Sequence, residues 1–254
     1  GSGESAIELH DVVTGWRQPL PGMVPITWSI PRGVSTVITG PNGVGKSTLC
    51  RAVAKHFGAQ YFDTGAMYRA ATLAVLRAGV NPAERAAVIA ATNNLNITLD
   101  DQTVLLDGED VSEEIRSQEV TRMVSAVSAI PEVRATLIAQ QREWANTTPR
   151  CIFDGRDMGT NVLPDAPLKV FLTACHKVRA QRRYEQIIAS GGNTIYEVVL
   201  ADVIQRDTAD SMRAVDPLHP ADDAIILDTS DLSLPEAIDT LISLVEESAE
   251  GGTS

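Results

Sequence analysis

Nine consecutive residues, Gly40-Pro-Asn-Gly-Val-Gly-Lys-Ser-Thr48, put Gly40, Gly45, Lys46 and Ser47 at the spacing G-x-x-x-x-G-K-[ST]. That pattern binds phosphate. Glycines let the backbone curl so that successive N–H groups, those of Asn42 and Gly43 among them, point inward at an anion. A following helix adds its positive end, with Thr48 in its first turn. Lys46 is the cation for the β- and γ-phosphates, and Ser47 offers a hydroxyl to Mg²⁺. The flanks agree: residues 34–39 read as a short buried strand and residues 49–57 as a helix ending at Gly58. The expected ligand is therefore a nucleoside triphosphate with Mg²⁺. Against this stands an ordinary glycine turn with a chance lysine, which the strand–loop–helix context makes the weaker reading.

Three further stretches carry charge where a strand ends. Asp63-Thr-Gly-Ala-Met-Tyr-Arg69 follows the short strand 60–63, with Thr64 as the expected helix N-cap. Thr64 and Arg69 are placed to hold a second phosphorylated ligand, since open α/β sheets bind ligands at the carboxyl ends of their strands. Asp154-Gly-Arg-Asp-Met-Gly159 sets two carboxylates around Arg156 at a turn after the strand 151–154; a solvated turn is the alternative. Arg206, Asp210 and Arg213 sit four and three apart and share a helical face, which intrahelical ion pairs would satisfy equally. Magnesium prefers oxygen ligands and keeps waters. Ser47, the ATP phosphates and water are thus the expected shell, with Asp154 a candidate through water.

Strands and helices alternate around these motifs. Helices are expected at 64–77, 82–92, 118–145 (interrupted at Pro131), 178–190, 196–210 and 234–247, and strands at 168–173 and 224–228, with a loose tail from residue 250. Residues 95–99 and 103–106 alternate like a hairpin, a small β insertion within an α/β chain. Alternation of this kind predicts a parallel sheet covered on both faces. Ahead of the phosphate loop, residues 7–13 and 26–30 also read as strands, packed on the central sheet. No apolar run reaches membrane-spanning length, so no membrane partner is expected. A net charge of −12 argues against a nucleic-acid surface, yet 17 of the 21 basic residues are arginine, the better bidentate partner for phosphate. Three cysteines without metal or disulfide spacing suggest a reducing cytoplasm.

The stretches GPNGVGKSTLC, YFDTGAMYRA, LLDGEDVSEEIRSQEV, IFDGRDMGT, LPDAPLKVFLTA, RDTADSMRAV and ADDAIILDTS, in that order, resemble bacterial cytidylate kinases. The resemblance implies transfer of the ATP γ-phosphoryl group to CMP or dCMP. It implies a three-layer phosphate-loop NTPase core (1–92, 118–175 and 214–254), a nucleoside-monophosphate-binding insert (93–117) and a helical lid (176–213). On the same footing, Thr64, Arg69, Arg156 and Arg213 would hold the CMP phosphate, and Ser125, Arg134 and Asp157 would read the cytosine edge. Arg206 and Asp210 would hold the ribose, and Arg179, Arg182 and Arg183 would close over ATP. Lys46, Arg156, Arg182 and Arg213 would stabilise the transferring group.

Residues 1–33 depart from that pattern. With the phosphate loop, residues 7–49 resemble the start of an ABC-type ATPase, though no signature of the rest of that family follows. A chimeric or engineered ATP binder without turnover, or an ABC-like ATPase, is thus the rival expectation, and UMP, AMP or GMP the rival acceptors. A monomer is expected, with the extra N-terminal strands a route to self-association.

Overall fold

The computed structural model describes residues 34–41, 43–100, 103–212 and 217–251. The strands expected at 7–13 and 26–30 lie outside the described residues, as do Asn42 and Arg213.

The described chain opens with β1 (Val34–Thr39), the phosphate loop and α1 (Lys46–Phe57). Then come β2 (Gln60–Asp63), α2 (Thr64–Arg77) and α3 (Arg85–Thr92). A small antiparallel sheet follows, β3 (Ile97–Leu99), β4 (Val104–Leu106) and β5 (Glu109–Asp110), closed by a 3₁₀ turn (Glu114–Arg116). Next are α4 (Gln118–Ser128), α5 (Pro131–Thr147), β6 (Arg150–Asp154), a π-helical turn (Met158–Val162) and β7 (Leu168–Thr173). A helical hairpin, α6 (His176–Ala189) and α7 (Tyr196–Ser211), precedes β8 (Ile225–Asp228) and α8 (Leu234–Gly251).

The main sheet is β2-β6-β1-β7-β8, parallel throughout. Alternate side chains go to opposite faces, as the strand period requires. Val37 and Phe153 point into the core under α2 and α5, where Phe62 stacks between Trp144 and Phe153 at 5.0 and 4.7 Å. Ile38, Ile152, Val170 and Leu172 point the other way, onto Leu49 and Val53 of α1 and Leu241 of α8. This is the expected three-layer α/β arrangement. Among the described residues no helix is long and apolar enough to cross a membrane.

Register decides function here. Asp63 pairs with Asp154 across β2 and β6, and Ile38 pairs with Asp154 across β1 and β6. The phosphate loop, the start of α2 and the Asp154–Asp157 turn therefore emerge at one edge of the sheet.

The structure corrects several local expectations. Thr64 is not the N-cap of α2: Asp63 is, its Oδ1 accepting from the Ala66 N–H at 3.0 Å, so the carboxylate at the strand end does the capping. α1 starts three residues before the apolar pattern, because the left-handed Gly45 turns the chain directly into the helix. α3 begins at Arg85, after a turn in which Asn81 Oδ1 accepts from the Ala83 N–H. The small sheet has a third strand, β5, whose Glu109 and Asp110 show no apolar alternation. α8 runs on to Gly251, past the expected end at residue 247 and into the stretch from residue 250 expected as a loose tail. Serine, alanine and glutamate there are all compatible with a helix.

Candidate functional site

The phosphate loop needs its glycines. Gly40 has φ 142°, and a Cβ there would lie 2.2 Å from the Leu172 carbonyl oxygen of β7. Gly45, at φ 92°, caps α1 in the left-handed region. Lys46 folds back over the loop and donates to the Gly40 and Pro41 carbonyls at 2.8 and 3.1 Å. Ser47 Oγ donates to Asp154 Oδ2 at 2.9 Å, and the Tyr61 hydroxyl donates to the same oxygen at 3.1 Å. Burial pushes the Asp154 carboxyl up to about 6, against the opposing pull of Lys46 and with further upward pressure from Asp63. Burial, then Asp154, likewise push the Tyr61 phenol upward. Ser47 and Asp154 thus present hard oxygens beside the triphosphate loop. They fit Mg²⁺, whose remaining ligands would be phosphate and water. Thr48 is exposed in the first turn of α1.

From this loop a cavity of about 510 Å³ runs over the ends of β1, β2 and β6 to α4. Lys46 and six arginines line it: Arg69, Arg116, Arg134, Arg156, Arg183 and Arg206. Asp63, Asp154 and Asp157 are its carboxylates. Two of the arginines have acidic partners. Arg156 Nη1 donates to Asp210 Oδ1 at 2.5 Å, bridging the β6 turn to α7, and Asp210 is itself buried. Arg134 Nη2 donates to Asp157 Oδ2; both side chains are about nine-tenths buried, and the guanidinium also lies 5.4 Å from the Tyr68 ring centroid.

The other four have no carboxylate at ion-pair distance among the described residues. Arg69 donates to the Ile115 carbonyl and the Thr121 hydroxyl at 3.2 and 2.9 Å, and Arg116 to the Ser112 carbonyl. Burial holds the Arg69 guanidinium below its ordinary pKa, outweighing Asp63, and Arg116 and Arg206 push it lower. Burial and then Arg206 do the same to Arg183. Cations held close enough to repel each other mark a place for a polyanion.

The structure thus brings together Lys46, Ser47, Thr64, Arg69, Ser125, Arg134, Asp154, Arg156, Asp157, Arg183 and Arg206 around one cavity, with Gly43 at its rim. Thr64 uses its hydroxyl on the Asp154 carbonyl at 2.8 Å. Three expected members stand elsewhere: Asp210, buried behind Arg156, and two arginines of α6. Arg179 is 2 % exposed, bound through both guanidinium nitrogens to Asp207 of α7 and through Nε to the Ala174 carbonyl. Arg182 holds the turn after β8, donating to the Thr229 and Leu232 carbonyls at 2.6 and 3.2 Å. Sequence reasoning missed Arg116, Tyr68 and Tyr61. Arg116 is the one cation in the stretch 105–120, and that isolation among acidic residues was the available signal.

The chain matches a family model described as "Cytidylate kinase" over residues 36–247. Curated proteins named "Cytidylate kinase" from Corynebacterium diphtheriae and Corynebacterium glutamicum are each 55% identical over 222 residues, covering 86% of this chain and 96% of those proteins. One from Mycobacterium leprae is 50% identical over 214 residues, covering 84% of this chain and 96% of that protein. The family match takes in the end of β1 and the whole phosphate loop, so the expected ABC-type start finds no support there.

Proposed function

The chain belongs to the cytidylate kinase family, an enzyme family that transfers the γ-phosphoryl group of ATP to CMP or dCMP, and from that premise we propose how its residues divide the work. The observation that carries the reading is one continuous cavity. It joins a phosphate loop to a buried Arg134–Asp157 pair, with arginines between that have no carboxylate partner among the described residues.

Lys46 and the loop N–H groups, from Gly40 through Asn42 to Thr48, hold the ATP phosphates. Ser47 and Asp154 would hold Mg²⁺, which would neutralise charge on the phosphate oxygens. Arg69, Arg156 and Arg213, with Thr64, take the acceptor phosphate, and Arg116 joins them. Arg206 and Asp210 orient the ribose. Asp157 accepts from the cytosine amine, while Arg134 and Ser125 face its acceptor edge. Phosphoryl transfer needs in-line positioning and charge stabilisation more than a protein nucleophile, and converging guanidinium groups supply both. The insert 93–117 and the lid 176–213 flank this cavity. Arg183 already reaches the cavity; Arg179 and Arg182 would exchange their present partners to do so. We read the working unit as a cytoplasmic monomer; the free thiols Cys50, Cys151 and Cys175 suit a reducing compartment.

A coupled assay over CMP, dCMP, UMP, AMP and GMP tests the reading. The expected result is efficient turnover of CMP and dCMP, with little ATP hydrolysis when no acceptor is present. Acceptor-independent hydrolysis, or purine preference, overturns it.

A further inference from the structure

We propose that Asn161 is a positioning residue for cytosine selection, holding the Asp157 carboxylate so that one oxygen stays available to the ligand; this rests on the reading of Asp157 as the amine acceptor. Both donors to this carboxylate go to one oxygen: Asp157 Oδ2 accepts from Arg134 Nη2 and from Asn161 Nδ2, the latter at 3.2 Å. Among the described residues Oδ1 accepts no hydrogen bond, and Asp157 lines the cavity. An ionised carboxylate only accepts, so the Asn161 amide must face it with its NH₂.

The unassisted preference of an arginine beside a carboxylate is the bidentate fork, which would engage both oxygens. Asn161 opposes that rotation by occupying Oδ2 from the second side. Asn161 is itself fixed. Its N–H and that of Val162 donate to the Asp157 carbonyl at 2.9 and 3.1 Å, forming the π-helical turn. Arg142 of α5 clamps the far side, donating to the Asn161 and Val162 carbonyls at 2.9 Å each. One helix, α5, therefore supplies Arg134 to the carboxylate and Arg142 to the turn that restrains it. Without the amide, Arg134 takes both oxygens of Asp157, and the acceptor for the cytosine amine is withdrawn. Uracil has no amine to lose, so the cost falls on CMP alone.

Asn161→Leu keeps the branched shape and heavy-atom count and removes the donor. Expected is a rise of about tenfold in KM for CMP, the lower scale for one hydrogen bond to a charged group. KM for ATP and kcat/KM for UMP should stay within about twofold, and the CMP/UMP ratio of kcat/KM should fall with the CMP term. Asn161→Gln, which keeps an amide donor, should recover part of the ratio. If Asn161→Leu is poorly folded by its melting curve, Asn161→Ala carries the same comparison. Equal losses for CMP and UMP, or an unchanged ratio, overturn the inference and leave Asn161 a cap of its turn. Asp157→Asn, run alongside, separates the two levels. If it narrows the ratio and the Asn161 variants do not, this inference alone fails. If Asp157→Asn leaves the ratio untouched, the amine-acceptor reading fails and takes this inference with it.

Discussion

The two ends of the cavity are built differently. At the proposed cytosine end, the buried Arg134 and Asp157 are joined to each other and to the half-buried Asn161, and braced by α5 and the π-helical turn. At the proposed donor end, Lys46 of α1 is joined by three arginines of α6, two of which have other occupations: Arg179 on Asp207, Arg182 on the turn after β8. On the proposed reading, recognition is pre-formed on the sheet side, whereas Arg179 and Arg182 would have to change partners to meet the triphosphate. Pre-formed groups lose little entropy on binding, and a mobile set can exclude water after both nucleotides are in place.

The largest effect expected is at the fixed part of the donor end. Lys46→Ala should lower kcat/KM by about a thousandfold, the upper scale for loss of one transition-state charge contact, with little change in melting temperature. A variant retaining most of its activity would remove the donor end from the comparison altogether.

The next concerns Asp154, whose folded pKa of about 6 stands above its ordinary value of 3.8. Between those values the native state binds more protons than the unfolded one, so this group's contribution to stability falls as pH rises through 6. Roughly two units at 1.36 kcal/mol each give about 3 kcal/mol. Without nucleotide or metal, Asp154→Asn should therefore gain stability over wild type as pH rises from 4 to 7, as read by urea unfolding. Its transferase activity should be low throughout. A stability difference independent of pH contradicts the burial argument.

Arg179→Ala sharpens the contrast within the hairpin. Asp207 would keep His176, 2.9 Å away, and is partly exposed, which moderates the cost of breaking the pair to about 2 kcal/mol. Arg183→Ala should leave stability within about 0.5 kcal/mol while raising KM for a nucleotide. Melting curves and steady-state kinetics on both variants decide which arginine is holding the hairpin and which faces the ligand.

The smallest effect belongs to the pre-formed end. Asp157→Asn should narrow the CMP/UMP ratio of kcat/KM about tenfold, because an amide can donate to uracil O4 where a carboxylate cannot. Arg156→Ala should depress all acceptors alike. If the ratio instead collapses in Arg156→Ala, the roles of the two neighbours are exchanged.

The sheet and the strand-end motifs were legible because buried parallel strands are short apolar runs and phosphate loops have fixed spacing. The Asp154, Arg156 and Asp157 turn was visible as charge at a strand end, and Arg134 through family resemblance. What stayed hidden depends on contacts distant in the chain. The Tyr61 hydroxyl reaches Asp154 across 93 residues, and nothing local to Tyr61 signals that. Arg179 looks like any basic helical residue until α7 brings Asp207 to it, 28 residues later. Asn161 reads as loop, since a π-helical turn has no periodic apolar signature.

The strand order has a consequence for how this protein comes into being. β1 carries the phosphate loop, yet its neighbours are β6 and β7; Val34 pairs with Arg150, and Thr39 with Phe171. During synthesis at about 5–20 residues per second, β1 is made roughly 6 to 22 seconds before either partner exists. Its Val37 and Ile38, fully buried in the finished sheet, wait through that interval without strand neighbours. The nucleotide site is therefore among the last features to assemble, although its motif is among the first to be translated. Pairings so far apart in sequence fold slowly. For this enzyme the vulnerable moment is a nascent chain with a finished phosphate-loop sequence and no sheet to hold it.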